Sequence, residues 1–343
     1  MQRFQDIKDM KTFNSLWDGF TSWENFDEAE INARRDKGKQ SQVREFQENR
    51  DAKLEKVRQS VINGTFHTSR YRKKKVYEPK ERDIYILPYE PDRIVQHAVM
   101  NILRPILTKK FMQNSFACVE GKGPHRASQK CAEFTRKYKY CLKCDIHHFY
   151  PSVNQKILSD MLHRIIKDER FMRVVDDIVF SFEGETNVPI GNYCSQWFGN
   201  FYLTKLDNYI LHELKCGALV RYCDDFLLFS DSKEELQRDK ALIKEFIWEN
   251  LRLEFSKADV FSTRQGVDFC GYRCFKDYVL LRKSTAKRIR RRITKIETLD
   301  THTQGQLASA KGQLKHCCSY NFRKSIGLER RMYGQTQQRN NGQ

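Results

Sequence analysis

Residues 218–229 read Ala-Leu-Val-Arg-Tyr-Cys-Asp-Asp-Phe-Leu-Leu-Phe. Two apolar segments of strand length flank Tyr222-Cys223-Asp224-Asp225, which predicts a β-hairpin carrying two adjacent carboxylates at its turn. Carboxylates in apolar surroundings are costly unless a cation compensates them, and a divalent metal is the natural partner. Mg²⁺ prefers oxygen ligands, commonly one or two carboxylates completed by substrate phosphates. Aspartate is also a favoured turn residue. Read alone, the stretch is equally well an Asp-Asp turn joining two strands.

A second carboxylate separates these readings. Asp145, in Leu142-Lys143-Cys144-Asp145-Ile146, also sits at the end of an apolar strand. Nucleotidyl transfer in line at phosphorus uses two metals roughly 3.5–4 Å apart, one activating the attacking hydroxyl and one holding the triphosphate. Two strands distant in sequence, supplying Asp145 and Asp224, build such a clamp.

Around these strands the patterning alternates helix and strand. Apolar residues recur at helical spacing over 1–40 and again over 41–63, where Asn63-Gly64 stops the helix. A basic stretch, Arg70 to Lys75, precedes strand-like alternation at 83–87, and Asp92–Leu107 reads as a buried helix. Residues 156–182 look helical, Val188-Pro189-Ile190-Gly191 is a break, and 192–214 carry a long helical pattern. Another helix is expected over 236–248, short strands near 253–255, 269–272 and 278–281, and a strongly basic helical region from Ser284. The last dozen residues read as disordered. There is no βαβ run and the centre carries a hairpin, so the predicted class is α+β, a sheet with helices on one face.

The chain has 343 residues and a formal charge of +18. A basic excess of this size points to a polyanion, with nucleic acid the default partner. No apolar run is long enough for a transmembrane helix, and the start, MQRFQDIKDMKTF, lacks the apolar core of a signal peptide. Eleven scattered cysteines then read as reduced thiols in a cytoplasm. Cys141-x-x-Cys144 lacks a second ligand pair at a suitable distance and reads as two small residues in a strand rather than a zinc site.

Tyr-x-Asp-Asp with an upstream Asp-x-x-x-x-Tyr resembles the palm motifs of reverse transcriptases. The resemblance runs over roughly residues 60–280 in motif order. It implies a right-hand polymerase with fingers, an antiparallel palm and a helical thumb. The expected spans are an N-terminal helical extension (1–65), fingers (66–140), palm (141–283) and a basic thumb with tail (284–343). It implies two Mg²⁺ ions, replaceable by Mn²⁺, on Asp145, the Ile146 carbonyl and Asp224, with Asp225 as a weaker or indirect ligand. Tyr150, five residues past Asp145, falls where the family places a steric gate against the ribose 2′-hydroxyl, a clash device that selects deoxynucleotides. Lys80 and Arg82, in Pro79-Lys80-Glu81-Arg82, fall where the family grips the triphosphate. Lys257 falls where a lysine protonates departing pyrophosphate. Phe269, Gly271 and Tyr272 resemble the primer-grip hairpin.

Val188 to Gln196 aligns with the family's Gln-Gly-x-x-x-Ser-Pro segment, in which the glycine lets backbone approach the nucleotide. Here Ile190 replaces Gln and Gln196 replaces Pro around Gly191 and Ser195. That form resembles one branch, the reverse transcriptases of diversity-generating retroelements, bacterial or phage-encoded. It implies RNA-directed DNA synthesis that is error-prone at template adenines (mutagenic retrohoming). It also implies template RNA, primer or cDNA and dNTPs as partners, with a small basic oligomeric accessory protein and no membrane. The alternatives are other bacterial reverse transcriptases of the retron, group II intron-like or abortive-infection type. A generic basic RNA-binding protein accounts for the charge but not for the three carboxylates.

Overall fold

The computed structural model describes residues 12–77, 81–296 and 300–329. It opens with four helices, α1 (Trp17–Phe20), α2 (Trp23–Arg34), α3 (Ser41–Gln47) and α4 (Arg50–Ile62). Strands β1 (Arg72–Val76) and β2 (Arg82–Ile86) follow, then helices α5 (Ile94–Thr108) and α6 (Pro124–Lys137). Strand β3 (Tyr140–Ile146) leads into α7 (Phe149–Ser152), α8 (Gln155–Ile165), α9 (Glu169–Val179), α10 (Ser195–Tyr202) and α11 (Thr204–Asn208). The hairpin β4 (Leu219–Tyr222) and β5 (Asp225–Ser230) precedes α12 (Lys233–Leu251). Four strands come next, β6 (Phe255–Ser262), β7 (Val267–Phe269), β8 (Tyr272–Cys274) and β9 (Val279–Leu281). Helices α13 (Lys283–Thr294), α14 (Thr301–Leu314) and α15 (Tyr320–Ser325) end the described chain.

The fold is α+β. The strands form three sheets, ordered β1-β2, β4-β5-β3-β6 and β7-β8-β9. The pairings β1–β2, β3–β5, β4–β5, β7–β8 and β8–β9 are all antiparallel. Local chemistry marks several boundaries. Ser22, Asn154, Asp168 and Asp300 each accept a backbone N–H from the first turn of the helix they precede. Asn63 ends α4 and Gly64 follows at φ +68, as the Asn-Gly pair predicts.

The elements gather into two compact units. One takes its residues from 1–112, 146–208 and 244–256, the other from 113–145, 209–243 and 257–343. In the first, Glu30 of α2 is fully buried. It accepts from Arg50 Nε and Gln47 Nε2, both at 2.8 Å, and from the Tyr89 hydroxyl at 2.7 Å. A buried carboxylate is tolerable because a guanidinium and two further donors meet it. Asp168 accepts from the backbone N–H groups of Leu16, Trp17 and Phe171. Burial opposes its charge, but the three donors outweigh that and hold its carboxyl below the usual range.

In the second unit, α6 packs on the sheet strands through Ala127, Cys131 and Phe134, against Cys141, Val220, Leu227, Phe229 and Phe269. The C-terminal helices have a separate apolar core built on Ile289, Ile293, Leu307, Leu314 and Leu328.

Several elements differ from the sequence expectation: 41–63 is two helices, α3 and α4, and the basic stretch after Arg70 forms strand β1. The helical stretch 156–182 is two helices, because Asp168 caps a new start at α9. The long pattern 192–214 breaks into α10, α11 and a wider turn over Tyr209–Glu213. Helix α6 has no counterpart in the sequence reading. Cys141 and Cys144 lie three residues apart on β3, hence on opposite faces, and both are buried. All eleven cysteines are free thiols.

Candidate active site

The hairpin forms where the sequence places it. Tyr222 pairs with Asp225 and Arg221 with Phe226, which leaves Cys223-Asp224 as a two-residue turn. Cys223 adopts φ +54, a left-handed conformation that hairpin twist favours and that a residue with a Cβ adopts at a cost. Arg221 stabilises it from below. Its side chain is fully buried, and Nη1 donates to the Cys223 carbonyl at 3.1 Å. The Arg221 main chain is anchored in turn, its N–H donating to Asn114 O and its carbonyl accepting from Phe116 N, each at 3.0 Å.

On the other side of β5 lies β3, in a register that sets Asp145 directly opposite Asp225. Directly opposed residues share a face of the sheet, with Cβ atoms about 4.5–5.5 Å apart. Asp224 is the neighbouring turn residue. Three carboxyl-bearing residues from two distant segments therefore meet at one end of the sheet. Lys143, two residues before Asp145 and so on its face, places Nζ 3.4 Å from Asp225 Oδ2.

The electrostatics of Asp225 are strained. Burial pushes its carboxyl up to about 6, repulsion from Asp145 and Asp224 adds to that, and the Lys143 ammonium opposes it. Its Oδ1 is shielded from solvent and accepts no hydrogen bond. A buried carboxylate oxygen with no donor is short of a cation, and hard oxygens from two strands suit Mg²⁺ or Mn²⁺. Among the described residues, no three His, Cys, Asp or Glu side chains are gathered into a ready-made metal cage. An open donor set of this kind suits an ion that completes its shell with phosphates and main-chain carbonyls. Ile146, whose carbonyl is the candidate main-chain ligand, is buried at the end of β3.

A prediction follows from the raised carboxyl. An acid whose folded pKa lies above its unfolded value destabilises the fold at high pH, and the penalty fades as pH falls from about 6 toward 3.8. The full penalty is about 3 kcal/mol. The asparagine of Asp225→Asn carries no charge and escapes this penalty, which is already net of the Lys143 contact. The variant should therefore be up to about 3 kcal/mol more stable than wild type near pH 7.5 without metal. Chemical denaturation in chelator across pH reads this out. A variant less stable than wild type at pH 7.5 contradicts it.

The first unit carries a second set of the singled-out residues. Tyr150 lies on α7 beside buried Phe149, and its carbonyl accepts from Val188 N at 3.0 Å. Gly199 of α10 lets that helix close on the two rings. A Cβ there would lie 2.9 Å from Phe149 Cε1 and 3.0 Å from Tyr150 Cε1. Ile190 is half-buried and its carbonyl accepts from Tyr85 N of β2 at 2.8 Å. Gly191 has φ +128, and a Cβ on it would sit 2.1 Å from the Tyr85 carbonyl oxygen. The backbone approach that requires this glycine is thus made to β2. Gln196 is exposed in the first turn of α10, next to Ser195, whose Oγ donates to Pro189 O at 2.6 Å.

The remaining candidates are more dispersed. Lys80 lies outside the described residues. Arg82 opens β2 opposite Val76 and is exposed. On β1 and β2, Lys73 and Lys75 are paired with Asp83 and Glu81. Lys257 is exposed on β6, 3.1 Å from Asp259. Phe269 and Tyr272 face each other across a tight hairpin whose central residues, Cys270 and Gly271, have φ +47 and +85. Two positive φ values are the signature of a turn matched to strand twist. Both flanking side chains are buried, and the Tyr272 hydroxyl donates to Gln313 O, so neither ring projects from this hairpin.

Sequence reading missed Lys143 and Arg221. For Lys143 a signal existed, since residues two apart on a strand share a face. Arg221 was visible as the one charge inside an otherwise apolar strand.

The model of the family described as reverse transcriptase (RNA-dependent DNA polymerase) matches residues 72–274. Protein YkfC of Escherichia coli (strain K12) is 27% identical over 180 residues, which cover 47% of this chain and 45% of that protein. Apo telomerase from Candida tropicalis superposes with a TM-score of 0.52 at 13% identity, over 70% of this chain and 51% of that one. At that identity the likeness speaks to the fold alone. The chain spans about half the length of these relatives.

Proposed function

The chain belongs to the reverse transcriptase (RNA-dependent DNA polymerase) family, and from that premise we propose that it copies a template RNA into DNA. The observation that carries this reading is the β3–β5 register, which brings Asp145 opposite Asp225 beside the Asp224 turn. The family's chemistry uses divalent ions. In this chain Asp145, the Ile146 carbonyl and Asp224 would hold two Mg²⁺, or Mn²⁺, with Asp225 in support. The ions supply the charge that lowers the pKa of the primer 3′-hydroxyl and neutralises the triphosphate.

The chain's own residues provide the rest. Lys80 and Arg82 pair with triphosphate oxygens. The Tyr150 ring occupies the space of a ribose 2′-hydroxyl and excludes ribonucleotides. Lys257 donates a proton to the departing pyrophosphate. The Cys270-Gly271 turn, flanked by Phe269 and Tyr272, bears on the primer end. The bundle α13–α15 tracks the product duplex through phosphate contacts, so residues 284–343 act as thumb, 141–283 as palm, 66–140 as fingers and 1–65 as a helical extension.

The finer reading is an enzyme of a diversity-generating retroelement, supported by Ile190 and Gln196 around Gly191. It works on template RNA, primer and dNTPs with a small basic oligomeric accessory protein. Its eleven free thiols suit the reducing cytoplasm of a bacterium. No helix of the described residues is long and apolar enough to cross a membrane. Sequencing the products of primer extension on a defined RNA tests this branch. Errors should concentrate opposite template adenines. An equal error rate at all four bases removes the branch assignment and leaves the polymerase reading in place.

A further inference from the structure

Lys143 has two partners in two different elements. Its Nζ donates to the main-chain carbonyl of Asp268 at 2.6 Å and lies 3.4 Å from Asp225 Oδ2. Only 19% of its side chain is exposed. Asp268 is the middle residue of β7, directly before the Phe269–Tyr272 hairpin. An ammonium group carries three donors and accepts no hydrogen bond, so one lysine ties a carboxylate of the site to the backbone of that hairpin.

Charge compensation alone does not explain this arrangement. A lysine serving only as counter-charge would lean on the carboxylates, yet the shorter contact is to an uncharged carbonyl on another sheet. The side chain is also held largely away from water, which costs free energy unless its donors are used. Asp225 Oδ2 is the oxygen it touches, while Oδ1 is left without a donor. A divalent ion drawing on this carboxylate competes with the ammonium for it.

We propose that Lys143 is a positioning residue that couples cation binding at the Asp145/Asp225 end of the sheet to the seating of the β7–β8 hairpin. This rests on the polymerase reading of the site. When a divalent ion takes Asp225, Lys143 gives up that contact and is held by the Asp268 carbonyl alone, so the tie between the site's carboxylate and the hairpin is released. The coupling is reciprocal: whatever restrains the hairpin alters affinity for the ion by the same factor.

Two variants of the full-length protein separate the contributions. Lys143→Met removes both charge and donor, and Lys143→Gln keeps a donor for Asp268 without the charge. Mn²⁺ binding is read by electron paramagnetic resonance, and amide hydrogen exchange is followed over 267–274 with and without Mn²⁺. Wild type should show Mn²⁺-dependent exchange in that segment. Both variants should bind Mn²⁺ roughly tenfold more tightly, because a competing positive charge within about 4 Å is gone. Exchange over 267–274 should no longer respond to Mn²⁺ in Lys143→Met.

Variants that match wild type in Mn²⁺ affinity and in exchange response overturn the coupling while leaving the polymerase intact. A wild type that binds no Mn²⁺ even with a dNTP present overturns the polymerase reading and the coupling with it. Should Lys143→Met fail to fold, Lys143→Gln still decides the matter through its Mn²⁺ affinity.

Discussion

Asp145→Asn and Asp224→Asn should each lower the rate of nucleotide addition by a factor of about 10³ or more, with the fold retained. Asparagine keeps the shape of aspartate and removes the negative charge that would hold a cation. Asp145 sits at the end of β3 and Asp224 on a turn whose conformation is set by Arg221, so neither substitution disturbs the apolar parts of the sheet. Asp225→Asn should cost far less activity, about tenfold, because that carboxylate is already engaged by Lys143 and the proposed role for it is a supporting one. It should also stabilise the metal-free protein. The three variants then order as Asp145 and Asp224 together, well below Asp225. Single-turnover primer extension measures this directly. An Asp224→Asn enzyme with wild-type rates removes the assignment of the site.

Gly191→Ala should destabilise the protein by about 3 kcal/mol or more and raise the KM for dNTPs. The added Cβ meets the Tyr85 carbonyl oxygen at 2.1 Å, inside any permissible contact, and the backbone there has φ +128. Relief requires β2 to move away from the 188–194 loop, which breaks the hydrogen bond from Tyr85 N to Ile190 O. Strand β2 carries Arg82, so its displacement moves a residue assigned to the triphosphate. Chemical denaturation gives the first effect and steady-state kinetics the second. A variant with unchanged stability contradicts the close approach.

The parts of the site that could be read from sequence are those carried by short-range chemistry. The hairpin bearing Asp224 and Asp225 announced itself because polar residues interrupt two apolar strands, although its turn is Cys223-Asp224 and Asp225 opens β5. Asp145 did so because it ends a third. Their partnership was an inference from chemistry, and the β3–β5 register supplies it physically. The N-cap at Asp168 was written in the sequence as Asp168-Glu169, yet the helical spacing on both sides ran through it unbroken. Helix α6 escaped although its buried positions, from Ala127 to Thr135, recur at helical spacing, because most of the residues there are small or polar and only Phe134 is large and apolar. The short strands were legible in place but not in register: 278–281 matches β9, whereas 269–272 read as one strand and is the turn joining β7 to β8, whose pairing partners fix it. The buried Glu30 network joins residues up to 59 positions apart and has no local signature. Lys143 belongs to the same class, since its meaning lies in Asp225 and Asp268, on other strands.

The most direct test of the central claim is template-dependent primer extension by the purified protein on a defined RNA, with Mg²⁺ and the four dNTPs. DNA complementary to the RNA should accumulate, should change when the template sequence changes, and should be absent with Asp224→Asn. Product whose sequence ignores the template, or synthesis undiminished in the Asp224→Asn protein, would contradict the account.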